Sequence, residues 1–192
     1  MKSRNRVYIL SLAPILIVLM GALPLASAAP DQKGEHYTAT AVGVRSPVGG
    51  RSVPVNIHVD EMTSDGELRE LQNLLQEKGE DALLNRLEEV EKGRMGRADE
   101  VGIDIAIVRS YETDEGRKLI LVGVRDRSIF ELRSSSRTNL YPYTWIELTL
   151  DEQGRGSGKV AYPARLKFDD QGNLEVKEFG LEFVRLMNVR RR

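Results

Sequence analysis

The chain has 192 residues, with no cysteine, two histidines and 28 Lys and Arg against 29 Asp and Glu, a formal net charge of -1. A balance this even, well mixed along the sequence, argues against a nucleic-acid partner, whose electrostatic footprint is a concentrated basic face. The lack of cysteine excludes disulfides, thiolate chemistry and a lipid-modified N-terminal cysteine, so the fold has to rest on its apolar core.

Lys2, Arg4 and Arg6 precede an almost unbroken apolar run over residues 7–25, followed at once by Ala26-Ser27-Ala28. Charge, then grease, then small residues predicts a Sec-type signal peptide over residues 1–28, cut between Ala28 and Ala29. The rival reading is a retained anchor, since roughly 20 apolar residues cross a bilayer. Pro14 and Pro24 interrupt the run, however, and Arg4-Asn5-Arg6 is not a twin-arginine pair. The expectation is a periplasmic or secreted protein with no membrane span after cleavage. Residues 29–35 then read as a flexible lead-in and 36–192 as a single domain, long enough for one core.

From Tyr37 the hydrophobic period is two. Residues 37–44 and 52–59 are β-branched runs separated by Pro47 and Gly49-Gly50, which predicts a hairpin. Val53, Val55, Ile57 and Val59 should face the core, with Pro54 and His58 outward, and a proline at that place predicts an edge strand or a strand start. Ser64-Asp65-Gly66-Glu67 has capping-box spacing, so a helix should begin there. Leu68, Leu71, Leu74 and Leu75 recur at helical spacing, Gly79 interrupts, and Ala82, Leu83, Leu84, Leu87 and Val90 resume the stripe up to Gly93. Two short helices, or one kinked at Gly79, would bury this stripe and leave Glu70, Glu77, Glu88, Glu89 and Glu91 in solvent.

Beyond residue 101 the chain reads as strands joined by short connections. Ile103, Ile105 and Ile107 alternate with Asp104, Ala106 and Val108; Thr113 to Gly116 turns the chain; residues 119–124 return. A serine-rich loop at 134–139 leads to a strand at 143–150. Gly154 to Gly158 connects to residues 159–168, Asp169 to Asn173 to a strand at 174–177, and residues 181–189 close the chain. Connections this short require antiparallel neighbours. The predicted class is α+β: a meandering antiparallel sheet of about seven to nine strands, open or curled toward a barrel, with one helical hairpin inserted.

Candidate chemistry is sparse. Two histidines and no cysteine leave a zinc site dependent on carboxylates. His36 lies next to the lead-in and His58 on the polar face of a strand, poor positions for a catalytic base. The acidic pairs Asp60-Glu61, Asp99-Glu100 and Asp169-Asp170 fall at element ends, where turn chemistry explains them and where they should not converge in a cleft as a carboxylate hydrolase requires. Gly154-x-Gly156-x-Gly158 precedes a strand, not a helix N-terminus, so it has no basis for cradling phosphate. Asp169 to Asn173 concentrates oxygen ligands but lacks the EF-hand spacing for calcium. No cofactor and no metal are predicted.

The feature above background is aromatic. Tyr141, Tyr143 and Trp145 stand at alternate positions of one strand, on the face opposite Ile146, Leu148 and Leu150, and share that face with Glu147. These four are the candidate ligand-binding residues, as a stacking platform for a sugar or apolar ligand. Burial beneath the leucine stripe of the helices, or against the far wall of a barrel, is the competing expectation. Arg125, Arg127, Arg133 and Arg137 form a second cluster that reads as a solvated rim, as Arg190-Arg191-Arg192 reads as a solvated tail.

Val48-Gly49-Gly50-Arg51-Ser52-Val53-Pro54-Val55, Thr63-Ser64-Asp65 with Gly79-Glu80-Asp81-Ala82-Leu83 and Gly93-Arg94-Met95-Gly96, and the closing Phe179-Gly180 to Asn188-Val189-Arg190 resemble a family of small exported bacterial proteins of no assigned activity. The resemblance spans nearly the whole mature chain and implies a bacterial envelope setting, without site residues or substrate. The functional expectation is an exported, non-enzymatic binding or envelope-accessory module, its partner an envelope protein or a small ligand. The alternatives are a carbohydrate- or small-ligand-binding barrel using the aromatic stripe and, less favoured, a carboxylate-based hydrolase.

Overall fold

The structure, a computed structural model, describes residues 34–43, 52–97, 102–114, 116–124 and 142–192. The leader with its Ala28-Ala29 site, the Gly49-Gly50 turn, Asp99-Glu100, the four-arginine cluster, the serine-rich loop and Tyr141 lie outside these residues.

In chain order the elements are β1 (Glu35–Gly43), β2 (Ser52–Val59), α1 (Asp65–Lys78), α2 (Glu80–Glu88), β3 (Gly93–Gly96), β4 (Ile103–Thr113), β5 (Gly116–Val124), β6 (Tyr143–Leu150), β7 (Arg155–Phe168) and β8 (Leu174–Arg191). Each strand pairs antiparallel with the next, and β8 pairs with β1, so the sheet closes as an eight-stranded barrel. The α+β class and the helical hairpin are as the periodicity predicts, and of the two forms left open the sheet takes the closed one.

Alternation along the strands fills the barrel. Tyr37, Ile57, Ile105, Leu119, Leu121, Ile146, Leu148 and Leu186 are fully buried inside it, as expected where eight strands enclose just enough space for side chains. Outward positions on β1 and β2 are polar (Thr38, Thr40, Asn56, His58). Among the described residues no helix is long and apolar enough to cross a membrane.

A second core lies outside the wall. Leu68, Leu71, Leu83, Leu84 and Leu87 of the helices pack on Ala106, Ile107, Ile120, Val122, Tyr143, Trp145 and Ala161. The helices begin where the capping box placed them: the Glu67 N–H donates to Ser64 Oγ (3.2 Å) and the Ser64 N–H to Glu67 Oε2 (2.7 Å). Gly79, at φ 82°, separates α1 from α2 as a break. Both ends of the insertion are fastened to the barrel. Thr63 exchanges hydrogen bonds with the backbone of Val108, extending the β4 ladder past the end of β3. The almost fully buried Lys92 ammonium sits 2.8 Å from both Glu61 and Glu67.

The structure corrects several local expectations. The four-residue β3, bounded by glycines, lies where the helical stripe was expected to end, too short to show a period. It pairs with Asn56 to Val59 only, so β2 is an interior strand, and of the two expectations for Pro54 the strand start holds: it is the third residue of β2, on the part that β3 does not reach. The register of β4 on β5 shifts between Ile105 and Ile107. Ala106 is the extra residue, and this bulge reverses the alternation: Ile105 and Val108 point into the barrel while Ile107 points out to the helices. The glycine-rich run is not a connection, because β7 starts at Arg155. A Cβ on Gly156 would overlap the Thr149 carbonyl oxygen, so the glycines admit close strand approach. Residues 174–177 and 181–189 belong to one strand of 18 residues, β8, bent by bulges.

Arg190 and Arg191 are likewise strand, not tail, and Arg191 enters an ionic plug at the barrel end where β1 begins and β8 finishes. There Glu35 accepts from Arg117 Nη1 (2.8 and 3.0 Å) and from the Tyr37 hydroxyl (2.7 Å), with Arg191 Nη2 at 2.9 Å. Burial pushes the Glu35 carboxyl up, but the Arg117 and Tyr37 hydrogen bonds and the two guanidinium charges outweigh it and hold the group below its ordinary range. A depressed carboxylate contributes stability above its unfolded-state pKa and loses that contribution as pH falls through the folded-state value. Glu35→Gln is therefore expected to cost about 2 kcal/mol at neutral pH and to flatten the acid limb of stability against pH, measured as urea midpoints between neutral pH and the carboxylate range. A pair of glycine variants reads the packing by the same assay. Gly156→Ala should lower stability by about 1–3 kcal/mol through overpacking. Gly66→Ala, with only Ser64 Oγ at 3.8 Å from its new methyl in the first turn of α1, should raise it by about 0.5–1 kcal/mol.

Candidate functional site: a groove on the outer wall

Strand parity fixes the outer face of β6: Tyr143, Trp145 and Glu147 point away from the barrel interior. They meet different surroundings. Tyr143 is fully buried beneath the helices and Trp145 is 4% exposed, flanked in register by Val122 and Ala161. Glu147 lies further along β6, toward its end. Its Oε1 sits 3.2 Å from Lys118 on β5 and 3.2 Å from Lys159 on β7. Burial pushes the Glu147 carboxyl up, yet the Lys118 hydrogen bond and the two ammonium charges hold it below the ordinary range.

The far wall comes from the β7–β8 hairpin. Ala164 already pairs with Tyr143, the first residue of β6, so the rest of β7 has no partner there. That excess length bends back at bulges between Tyr162 and Ala164 and between Arg165 and Leu166. Leu166 and Leu174 then join the external core, and Arg165 grips Glu80 at the start of α2 through three hydrogen bonds of 2.6–3.1 Å. The hairpin turn is tied by Asp169, whose carboxylate accepts from the N–H groups of Gln171 and Asn173 and from Asn173 Nδ2. Those hydrogen bonds, Asn173 first, hold Asp169 below its ordinary range. Its oxygens serve the turn.

Between wall and hairpin runs a groove of about 460 Å³ lined by Tyr111, Lys118, Ile120, Trp145, Glu147, Asp169, Asn173, Leu174, Glu175 and Val176. Trp145 and Glu147, two of the four predicted ligand residues, line it together; Tyr143 lies deeper, against the helices, and Tyr141 is outside the described residues. At 4% exposure Trp145 contributes a wall and not an open stacking face. Lys118, Asn173 and Glu175 were invisible as site residues in the sequence, because the contact depends on a hairpin folding back. The available signal was length, since the runs before and after Asp169 to Asn173 outlast the strand they pair with.

The acids converge more than their turn positions led us to expect: Glu147, Asp169 and Glu175 share the groove. Each carboxylate is already engaged, Glu175 by Lys167 at 2.6 Å. Glycoside hydrolysis needs one carboxyl raised and protonated, whereas Glu147 and Asp169 are both held low. Glu35, expected to end the lead-in, is instead the first residue of β1, and His36 beside it stands directly opposite His58, which keeps its expected place on the exposed face of β2. No family model, curated protein or solved structure matches the chain.

Trp145 is the chain's single tryptophan, so its emission reports on this groove alone. The free protein should show weak acrylamide quenching. Asp169→Ala, which unties the hairpin turn, should raise the quenching constant at least about twofold by local opening, read by Stern–Volmer titration.

Proposed function

We propose that the protein is an exported, non-enzymatic binding module of the bacterial periplasm or medium, taking a small polar ligand into the groove between β5–β6 and the returned β7–β8 hairpin. The leader-like N-terminus supports the location. The observation that carries the binding reading is the groove itself, whose volume lies within the roughly 300–1,000 Å³ of small-molecule sites. It has the usual division of labour, with an apolar floor of Ile120, Trp145, Leu174 and Val176 and a few polar groups at its sides.

Those polar groups are mainly acceptors: the carboxylates of Glu147, Asp169 and Glu175 against one ammonium, Lys118. A ligand rich in hydroxyl donors with one apolar face matches this lining, which favours a sugar or polyol. Pairing with Lys118 and Lys159 fixes the Glu147 oxygens without exhausting their lone pairs. The ligand is bound and released intact: Glu147 and Asp169 are both held low by their partners, so neither serves as the proton donor that glycoside hydrolysis needs.

The test is a fluorescence titration of Trp145 with a panel of neutral mono- and disaccharides and polyols, with native mass spectrometry of protein recovered from an expressing bacterium. The expected result is a saturable change in emission with at least one of them, weakened about tenfold by Glu147→Gln, the worth of a hydrogen bond to a charged group. A flat response across the panel, together with a bare chain in the native spectrum, would overturn the reading.

A further inference from the structure

The chain's two histidines stand side by side on the outer face of β1 and β2, His36 in register with His58. Their Nε2 atoms are 2.5 Å apart, their ring centroids 3.4 Å apart and their planes inclined at 61°. Two imidazole nitrogens that close aim lone pairs at one another unless a proton or a cation lies between them. Both rings are exposed, so burial does not force the contact. The surrounding charge is compatible with a cation: the Asp60 carboxylate acts on His58 with favourable sign. Arg94, the cross-strand neighbour of His58, opposes it but is itself tied to Asp104 at 3.0 Å and Glu91 at 3.2 Å.

We propose that His36 and His58 form a two-imidazole site for a late first-row divalent cation, copper(II) ahead of zinc(II) and nickel(II), with water in the remaining positions. Metal–nitrogen bonds of about 2.0–2.1 Å put adjacent donors about 3 Å apart, so the rings need to separate by only about 0.5 Å, a small adjustment for exposed side chains. Imidazole suits these three ions, and the Irving–Williams order sets their ranking. Among the described residues no three His, Cys, Asp or Glu side chains group as a metal site. The site is thus open and two-liganded, unlike a closed structural zinc centre. Its ligands are 22 residues apart in sequence and meet only in the folded hairpin, so the cation binds the folded state preferentially and stabilises it.

The experiment titrates the full chain with copper(II) at neutral pH, followed by calorimetry and by electron paramagnetic resonance, with zinc(II) as competitor. One copper per chain with two-nitrogen coupling is expected, displaced by excess zinc, and accompanied by a higher melting temperature. His36→Ala and His58→Ala should each weaken binding at least about tenfold, because the second imidazole acts at high effective concentration. Neither substitution should change the metal-free melting temperature, and His36→Gln and His58→Gln repeat the test with polar replacements should an alanine variant fold poorly. Copper bound with unchanged affinity in either single variant, or without two-nitrogen coupling, belongs to other groups of the chain and would overturn the proposal.

Discussion

Everything in this molecule follows from the pairing of β8 with β1. Seven consecutive antiparallel pairs would leave two open strand edges; the eighth removes both. With no cysteine to cross-link the ends, the closure rests on the β1–β8 backbone ladder and on the plug that joins Glu35 at the chain's first strand to Arg191 at its last. The ladder shifts register between Thr38 and Thr40, opposite Asn188, the one non-glycine described at positive φ, 52°. Asparagine tolerates that conformation better than most residues, and the shift lets both Leu186 and Val189 point inward. A single residue in the left-handed region thereby keeps two core side chains on the correct side of the closing seam.

Closure also decides where binding is possible. An eight-stranded barrel filled by Tyr37, Ile57, Leu119, Leu121, Ile146 and Leu148 has its interior occupied by its own side chains, so the room for the proposed ligand lies on the outer wall. Over part of their length strands β4 to β7 are consequently apolar on both faces, with Ile107, Ile120, Val122, Trp145 and Ala161 turned outward to the helices or the hairpin, while Lys118, Glu147 and Lys159 lie beyond that cover. The helices cover Tyr143 and most of Trp145. The overlong β7–β8 hairpin covers what lies beyond, and the two covers differ in kind. Helices present a continuous leucine stripe that excludes space, whereas a two-stranded hairpin held by Arg165 to Glu80 and by its own turn leaves a gap beneath its tip. The groove is the geometric consequence of strands longer than the barrel needs.

Local rules made much of this legible before any coordinates. The capping box at Ser64, the break at Gly79, the alternation in β2 and the return of the chain at residues 119–124 are read from neighbours within a few residues, and the structure has them where they were expected. What escaped depends on partners far along the chain. Ala106 looks like one more alternating residue, and only the register on β5 shows it to be a bulge that exchanges inside for outside. The run Gly93 to Gly96 is too short to carry a period, and becomes a strand because β2 and β4 flank it. Gly156 and Gly158 resemble a loop by composition, yet their lack of a side chain is what a close strand approach requires. At the site, parity placed Trp145 beside Glu147 on one face, but no short-range signal places Asp169 or Glu175 across from them. His36 and His58 were separately unpromising, one next to a lead-in and one on a polar strand face; the hairpin register makes them a pair.

The barrel order sets the two outward features apart. The imidazole pair sits on β1–β2 and the groove on β5–β7, which lie across the barrel from one another when eight strands are taken in sequence around the ring. Between them stands a close-packed apolar interior, and coupling between distant sites needs an element with two discrete arrangements that both ligands bias. The described candidate for such an element is the β7–β8 hairpin, whose tip forms the groove and whose other end, β8, pairs with β1 beside His36. The plug intervenes, however: Arg191 is held by Glu35, the residue immediately before His36, and Glu35 is in turn fixed by Arg117. That fastening pins the C-terminal end of β8 whatever its distal tip does. On the two proposals, a rearrangement at the groove would be absorbed at the bulges near Tyr162 and Arg165 before reaching β1, leaving the imidazole site and the groove uncoupled.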